Sequence, residues 1–220
     1  MFDHIKAMTT ALHSYCDENT LNTPILVAAS KTQAPWTIRT AIAAGLTDIG
    51  ENYVQEAQQK AAEGAYEGAK LHLIGRFQSN KAKDVAALFD VVHSLDKEKS
   101  AQKLSAACKN LNKVIDVFIQ VHIGPEADNR SGVTTTELPK LVEFVRIHCP
   151  NLNLIGLMTM PPANHPAPID VFREVKKLGD ALGLSAFSMG MSGDWQQALE
   201  AGATHIRMGT ALFGKRSFIK

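Results

Sequence analysis

The chain has 220 residues, with 23 Lys and Arg against 22 Asp and Glu and 45% hydrophobic residues. This balance excludes wholesale disorder and leaves no bulk field to attract nucleic acid or an anionic membrane. No apolar run reaches the roughly 18 residues that a bilayer span needs, and Met1-Phe2-Asp3-His4-Ile5-Lys6 lacks the hydrophobic stretch of a signal peptide, so a cytoplasmic globular protein is expected.

Residues 1–16 read as a leading helix that plugs or flanks whatever follows. From residue 25 onward, short runs rich in branched residues alternate with stretches of helical length. The predicted strands are 25–30, 47–50, 71–75, 91–94, 114–121, 152–157, 187–189 and 205–208. Most are nearly continuous hydrophobics, the pattern of strands buried on both faces. The predicted helices are 35–44, 53–62, 80–89, 97–109, 135–148, 170–182 and 194–201. Their punctuation is regular: Pro35 lies in a first turn, Gly45 and Gly202 follow last turns, and Ser192 or Gly193 precedes Asp194. Residues 160–168, with four prolines, form a surface loop. Repeated βα units favour an all-parallel sheet, and eight of them suggest closure into a single (β/α)8 TIM barrel domain spanning residues 1–220. The alternative is a doubly wound open sheet, which would normally carry a glycine fingerprint after its first strand. Cys16, Cys108 and Cys149 are odd in number and far apart, which fits neither a disulfide framework nor a metal site.

In a parallel barrel the functional groups gather at the C-terminal strand ends. The first predicted strand ends at Lys31, the second at Glu51 and Asn52, and the third contains His72. The sixth ends near Met158. The seventh runs into Ser188-Met189-Gly190-Met191-Ser192-Gly193-Asp194, the eighth into Arg207-Met208-Gly209-Thr210. The last two loops have two readings. They make turns and caps, or their N–H groups and hydroxyls cradle a phosphate without net positive charge. Lys31 is either a solvated surface charge or, at the mouth, an amine whose pKa is lowered by desolvation and a neighbouring cation such as Arg207. A mouth lysine, a phosphate cradle and an internal arginine together match pyridoxal 5'-phosphate.

Several further residues have a structural reading beside the functional one. His72 is a core histidine or a catalyst, and Asn52 caps a helix or contacts a ligand. Glu51 and Glu56 suit the helix dipole. Lys81 and Lys83, with Arg76, form a small basic rim or, as the favoured reading, a solvated helix face. The methionines near strand ends are packing rather than redox groups.

The segments Ala29-Ser30-Lys31-Thr32, Gly50-Glu51-Asn52-Tyr53-Val54-Gln55-Glu56, His72-Leu73-Ile74-Gly75 with Gln78-Ser79-Asn80-Lys81, Gly156-Leu157-Met158, Ser188-Met189-Gly190-Met191-Ser192 and Arg207-Met208-Gly209-Thr210-Ala211-Leu212-Phe213-Gly214 resemble the YggS/PROSC family. These are pyridoxal-phosphate homeostasis proteins related to the N-terminal barrel of alanine racemase, and the resemblance covers residues 25–216. It implies a covalent aldimine of pyridoxal 5'-phosphate on Lys31, a phosphate held by Ser188, Ser192, Gly209 and Thr210 beside Met191, and Arg207 at the pyridine nitrogen. Asn52, His72 and Met158 would line the ring. Two departures stand out: Leu71 where the family often has Trp, and Arg130 where a Lys is common.

Two functions follow. One is a non-catalytic carrier that buffers the cofactor and delivers it to apo-enzymes, as a monomer. The other is an amino-acid racemase. Racemisation needs a base on each face of the α-carbon. In alanine racemases the second base is a tyrosine from an additional domain. With the sequence ending six residues past Gly214, no such domain is expected, and Tyr15, Tyr53 and Tyr66 lie in no matching segment. A permanent cation at the ring nitrogen also makes the ring a poorer sink for carbanion charge. The carrier is therefore the favoured reading.

Overall fold

A computed structural model describes residues 2–124, 131–162 and 165–214; Arg130 lies outside them. Helix α1 (Phe2–Glu18) leads into eight βα units. The strands are β1 (Ile25–Ala29), β2 (Asp48–Glu51), β3 (Lys70–Leu73), β4 (Val91–Leu95), β5 (Ile115–Gln120), β6 (Leu152–Met158), β7 (Ala186–Ser188) and β8 (His205–Met208). The helices after them are α2 (Pro35–Ala43), α3 (Val54–Ala62), α4 (Ala82–Leu88), α5 (Glu98–Asn110), α6 (Leu138–His148), α7 (Pro168–Ala181), α8 (Trp195–Glu200) and α9 (Thr210–Phe213).

All strands pair in parallel with their sequence neighbours, and β8 closes onto β1 with Val27 opposite Arg207. The barrel therefore closes, and the open-sheet alternative does not apply. Alternate strand residues point outward, and these form one continuous apolar layer with the helices. Ile49, Leu73, Val117, Ile119, Phe187 and Ile206 belong to it, together with Ile38, Leu104 and Phe172 from the helices. A separate small cluster, Val91, Phe118 and Met158, lies apart from that layer.

Helix α1 flanks the barrel rather than plugging its base. Its buried stripe is Ile5, Leu12 and Cys16, spaced to stay on one helical face. Its polar face ties to the last two units: His4 Nε2 lies 2.8 Å from Ala211 O, and Tyr15 donates to Glu200 Oε1 at 2.9 Å while meeting Trp195 edge-on.

Predicted boundaries shift where side chains offer the backbone other partners. The helix expected from residue 135 begins at Leu138, because Thr134 Oγ1 accepts the Glu137 N–H and donates to its carboxylate, holding a local turn. The predicted third strand ran to residue 75 but β3 stops at Leu73, since Gly75 is pressed onto the backbone of Asn52. A Cβ there would lie 2.1 Å from Asn52 O. The three cysteines are buried and free, and no described helix is long and apolar enough to cross a membrane.

Candidate functional site

A cavity of about 270 Å³ opens at the C-terminal ends of the strands. It brings together Lys31, Asn52, Met191, Ser192, Arg207, Gly209 and Thr210, with Gln33, Ile74, Met160 and Gly193 completing much of the wall. Seven of the ten residues anticipated from sequence thus share one cavity wall. His72, Met158 and Ser188 do not.

Lys31 is held by its neighbours in the chain. Thr32 sits in the left-handed region at φ 65°, an unfavourable conformation for a β-branched residue. Its N–H is pinned to Glu56 Oε1 at 2.5 Å. On the other side, Ser30 Oγ donates to Glu51 Oε1 at 2.7 Å, and the Ser30 carbonyl accepts from Lys60 Nζ at 2.9 Å. Lys60 also bridges Glu51 and Glu56, at 2.7 Å each. Tyr66 O–H adds a third donor to Glu51 Oε1 at 3.0 Å, and burial, then the Glu51 charge, push its pKa up. Glu51 and Glu56 are therefore not simple helix-dipole acids. They anchor the two residues flanking Lys31 to α3.

Asn52 does not cap a helix. Tyr53 occupies the cap position of α3 with no side-chain bond, and Asn52 Oδ1 is buried without a partner. An unsatisfied buried amide costs about 1–3 kcal/mol unless a ligand or water completes it. Here the amide stands at the cavity wall, where a bound molecule can supply the missing bond.

On the opposite wall Ser192 Oγ accepts the Ala211 N–H at 3.2 Å, joining the loop after β7 to the start of α9. Asp194 Oδ1 accepts the Met191 N–H at 2.6 Å and so closes the same loop on itself. The floor is Arg207. Its Nη1 donates to Ser188 Oγ at 2.6 Å and its Nη2 to Thr159 O at 3.0 Å. Burial lowers its pKa to about 10, against a raising contribution from Asp194, which leaves it a cation at neutral pH.

Behind that floor the barrel interior is polar. His72 donates or accepts at both ring nitrogens, 2.9 Å from Asp48 Oδ1 and 2.9 Å from His93 Nε2. His93 Nδ1 lies 2.7 Å from Ser188 Oγ. Since β4 and β7 are not neighbours in the barrel, this last bond crosses the lumen. Ser188, at 0% exposure, spends its hydroxyl on Arg207 and His93 beneath the cavity. Met158 packs with Val91 and Phe118. Among these interior groups, sequence reasoning missed His93. Its signal was an imidazole within the run Val91-Val92-His93-Ser94-Leu95, on the opposite face from the outward Val92.

The profile of the alanine racemase N-terminal domain matches residues 18–217. A pyridoxal phosphate homeostasis protein of Pseudomonas aeruginosa is 44% identical over 197 residues, covering 88% of this chain and 85% of that one. The chain belongs to the pyridoxal phosphate homeostasis protein family. A second member, from Synechocystis, is 42% identical over 205 residues, 87% of this chain and 91% of the relative. Among solved structures, PipY of Synechococcus elongatus, with pyridoxal phosphate bound, superposes with a TM-score of 0.83 at 33% identity, over 96% of this chain and all of that one. The alanine racemase of Corynebacterium glutamicum, at 17% identity, shares the barrel fold with a TM-score of 0.72.

Proposed function

We propose that this protein binds pyridoxal 5'-phosphate in the mouth cavity and serves intracellular homeostasis of that cofactor, with residues 1–220 acting as one binding domain. The observation that carries this reading is the convergence of the Lys31 amine, the Arg207 guanidinium and the Ser192/Gly209/Thr210 wall on one cavity. Those are the amine, ring-nitrogen partner and phosphate cradle that the cofactor needs. Its identity agrees with what the relatives are named for and with the ligand of PipY. The unpartnered Asn52 Oδ1 fits a polar ligand at the same wall.

Lys31 would hold the group through its amine, and the group, when bound, would supply an aldehyde for that amine. The remaining residues position it. Arg207 presents a fixed positive charge at the floor, and Ser192 with the start of α9 offers hydroxyls and N–H groups to the phosphate dianion. Ser188, Met158 and His72 act from below, on the floor rather than on the ligand.

The reading as a carrier rather than a racemase is supported by the wall chemistry. Of the described lining residues, Lys31 and Arg207 are the ionisable ones. A guanidinium is not a general base, whereas racemisation needs two bases on opposite faces. Recipient apo-enzymes and a monomeric state complete the proposal.

Borohydride reduction of the loaded protein followed by peptide mass spectrometry is expected to place a pyridoxyl adduct on Lys31. An adduct found only on other lysines overturns the assignment. Incubation with L-amino acids in deuterated water is expected to leave the α-proton unexchanged, and exchange at an enzymatic rate overturns the carrier reading.

A further inference from the structure

The lumen contains a chain of side chains whose hydrogen-bond polarity can be worked out by counting protons. It runs Asp48–His72–His93–Ser188–Arg207, with contacts of 2.9, 2.9, 2.7 and 2.6 Å in that order. His72, His93 and Ser188 are at most 1% exposed, so these links are shielded from bulk solvent. A guanidinium only donates, so Ser188 Oγ must accept from Arg207. The single hydroxyl proton of Ser188 then goes to His93 Nδ1, which carries none. His93 is held neutral chiefly by burial, with the Arg207 cation adding to it. Its one proton therefore sits on Nε2 and is donated to His72 Nδ1. That leaves the His72 proton on Nε2, facing the Asp48 carboxylate. The order runs one way, from a cation at the cavity floor to an anion near the far end of the barrel.

We propose that His93 and His72 are positioning residues for Arg207: by fixing which way the Ser188 hydroxyl points, they keep its oxygen available as the guanidinium's acceptor. With Nη1 held there and Nη2 held on Thr159 O, two of the three nitrogens are anchored and the plane of the guanidinium is set toward the cavity. If the chain ran in reverse, Ser188 Oγ would accept from both His93 and Arg207, and its own hydroxyl proton would be left without an acceptor in the chain and unfixed in direction. Two further rings pack on His93 outside the chain: His205 at 6.1 Å and Phe118, stacked at 4.5 Å. The role toward the cofactor rests on the function proposed above, but the proton order does not.

The test separates the two. In the ligand-free, ¹⁵N-labelled full chain, long-range imidazole correlations are expected to show His93 and His72 each protonated at Nε2 and bare at Nδ1. A proton on His93 Nδ1 overturns the proposal. His93→Leu removes the acceptor while keeping bulk, and His93→Asn puts an amide oxygen near the old Nδ1 position. In the ligand-free protein, exchange of the Arg207 guanidinium protons with solvent is expected to quicken about tenfold in His93→Leu, the effect of losing one charge-assisted hydrogen bond, and to stay within about twofold in His93→Asn. Equal exchange in wild type and His93→Leu overturns the proposal, whether or not the cofactor binds. In the loaded protein, cofactor release is expected to follow the same pattern, with a shifted absorbance maximum in His93→Leu alone. Failure of the wild-type protein to take up the cofactor would count against the proposed function while leaving the Arg207 exchange result to decide the positioning role.

Discussion

The outer and inner faces of the barrel solve the burial problem in opposite ways. Outside, Leu73, Ile49, Phe187 and Ile206 meet Phe172, Leu104 and Ile38 in an apolar layer that packs by shape and area. Inside, Asp48, His72, His93, Ser188 and Arg207 satisfy one another bond by bond, with the His93–Ser188 link crossing between strands that are not neighbours. Stability is distributed over many contacts on the outer face, where each is replaceable in kind. On the inner face a single deletion strands its neighbour, because a buried polar atom has nowhere else to turn.

Three outcomes test that contrast. The largest is expected outside: Phe172→Ala, at a fully buried α7 position, should cost about 3–5 kcal/mol through lost burial and a cavity. Urea unfolding should show this as a lower midpoint with an unchanged slope, and a loss under about 1 kcal/mol would mean that α7 does not seat the layer as described. The next is electrostatic and comes from inside. His205 titrates near 4 in the folded barrel, mainly through burial, against about 6.5 for an unfolded histidine. Its folded pKa is lowered, so the unfolded chain binds more protons on acidification. The corresponding stability is intact above about pH 6.5 and falls by roughly 3 kcal/mol as pH drops toward 4. His93, held lower in the same way, steepens the loss. A flat urea midpoint between pH 7 and 5 would show that the lumen is not dry. The smallest effect is at the mouth: Lys31→Ala should change unfolding free energy by less than about 1 kcal/mol while removing the Schiff-base absorbance. A large loss would mean the lysine supports the fold rather than the ligand.

Much of this was legible in the sequence. The outer face could be read because burial on both sides of a strand leaves near-continuous runs such as Ile25-Leu26-Val27-Ala28-Ala29, and the helix stops at Gly45 and Gly202 are local conformational signals, with φ of 101° and 93°. The cavity residues at strand ends, Lys31, Arg207, Gly209 and Thr210, were legible for the same topological reason. Less so was the part each polar residue plays. Glu51 read as a helix-start acid, yet its partners Lys60 and Tyr66 lie 9 and 15 residues onward. Ser188 read as a phosphate ligand because it opens a Gly/Ser loop, but strand pleating turns it into the lumen, toward His93 on β4. Asn52 read equally as a cap, and only the position of Tyr53 decided against it.

The sequence alone therefore determined the succession of βα units and most of the residues delivered to the mouth, since hydrophobic period and turn chemistry are local properties. Only the tertiary structure decided that α1 flanks the barrel and which polar groups face the cavity or the lumen. It also decided that Arg207 stands at the end of a hydrogen-bonded chain beginning at Asp48. Those outcomes depend on barrel closure, which sets residues 95 positions apart, such as His93 and Ser188, at hydrogen-bonding distance. No local pattern encodes a partner across the lumen.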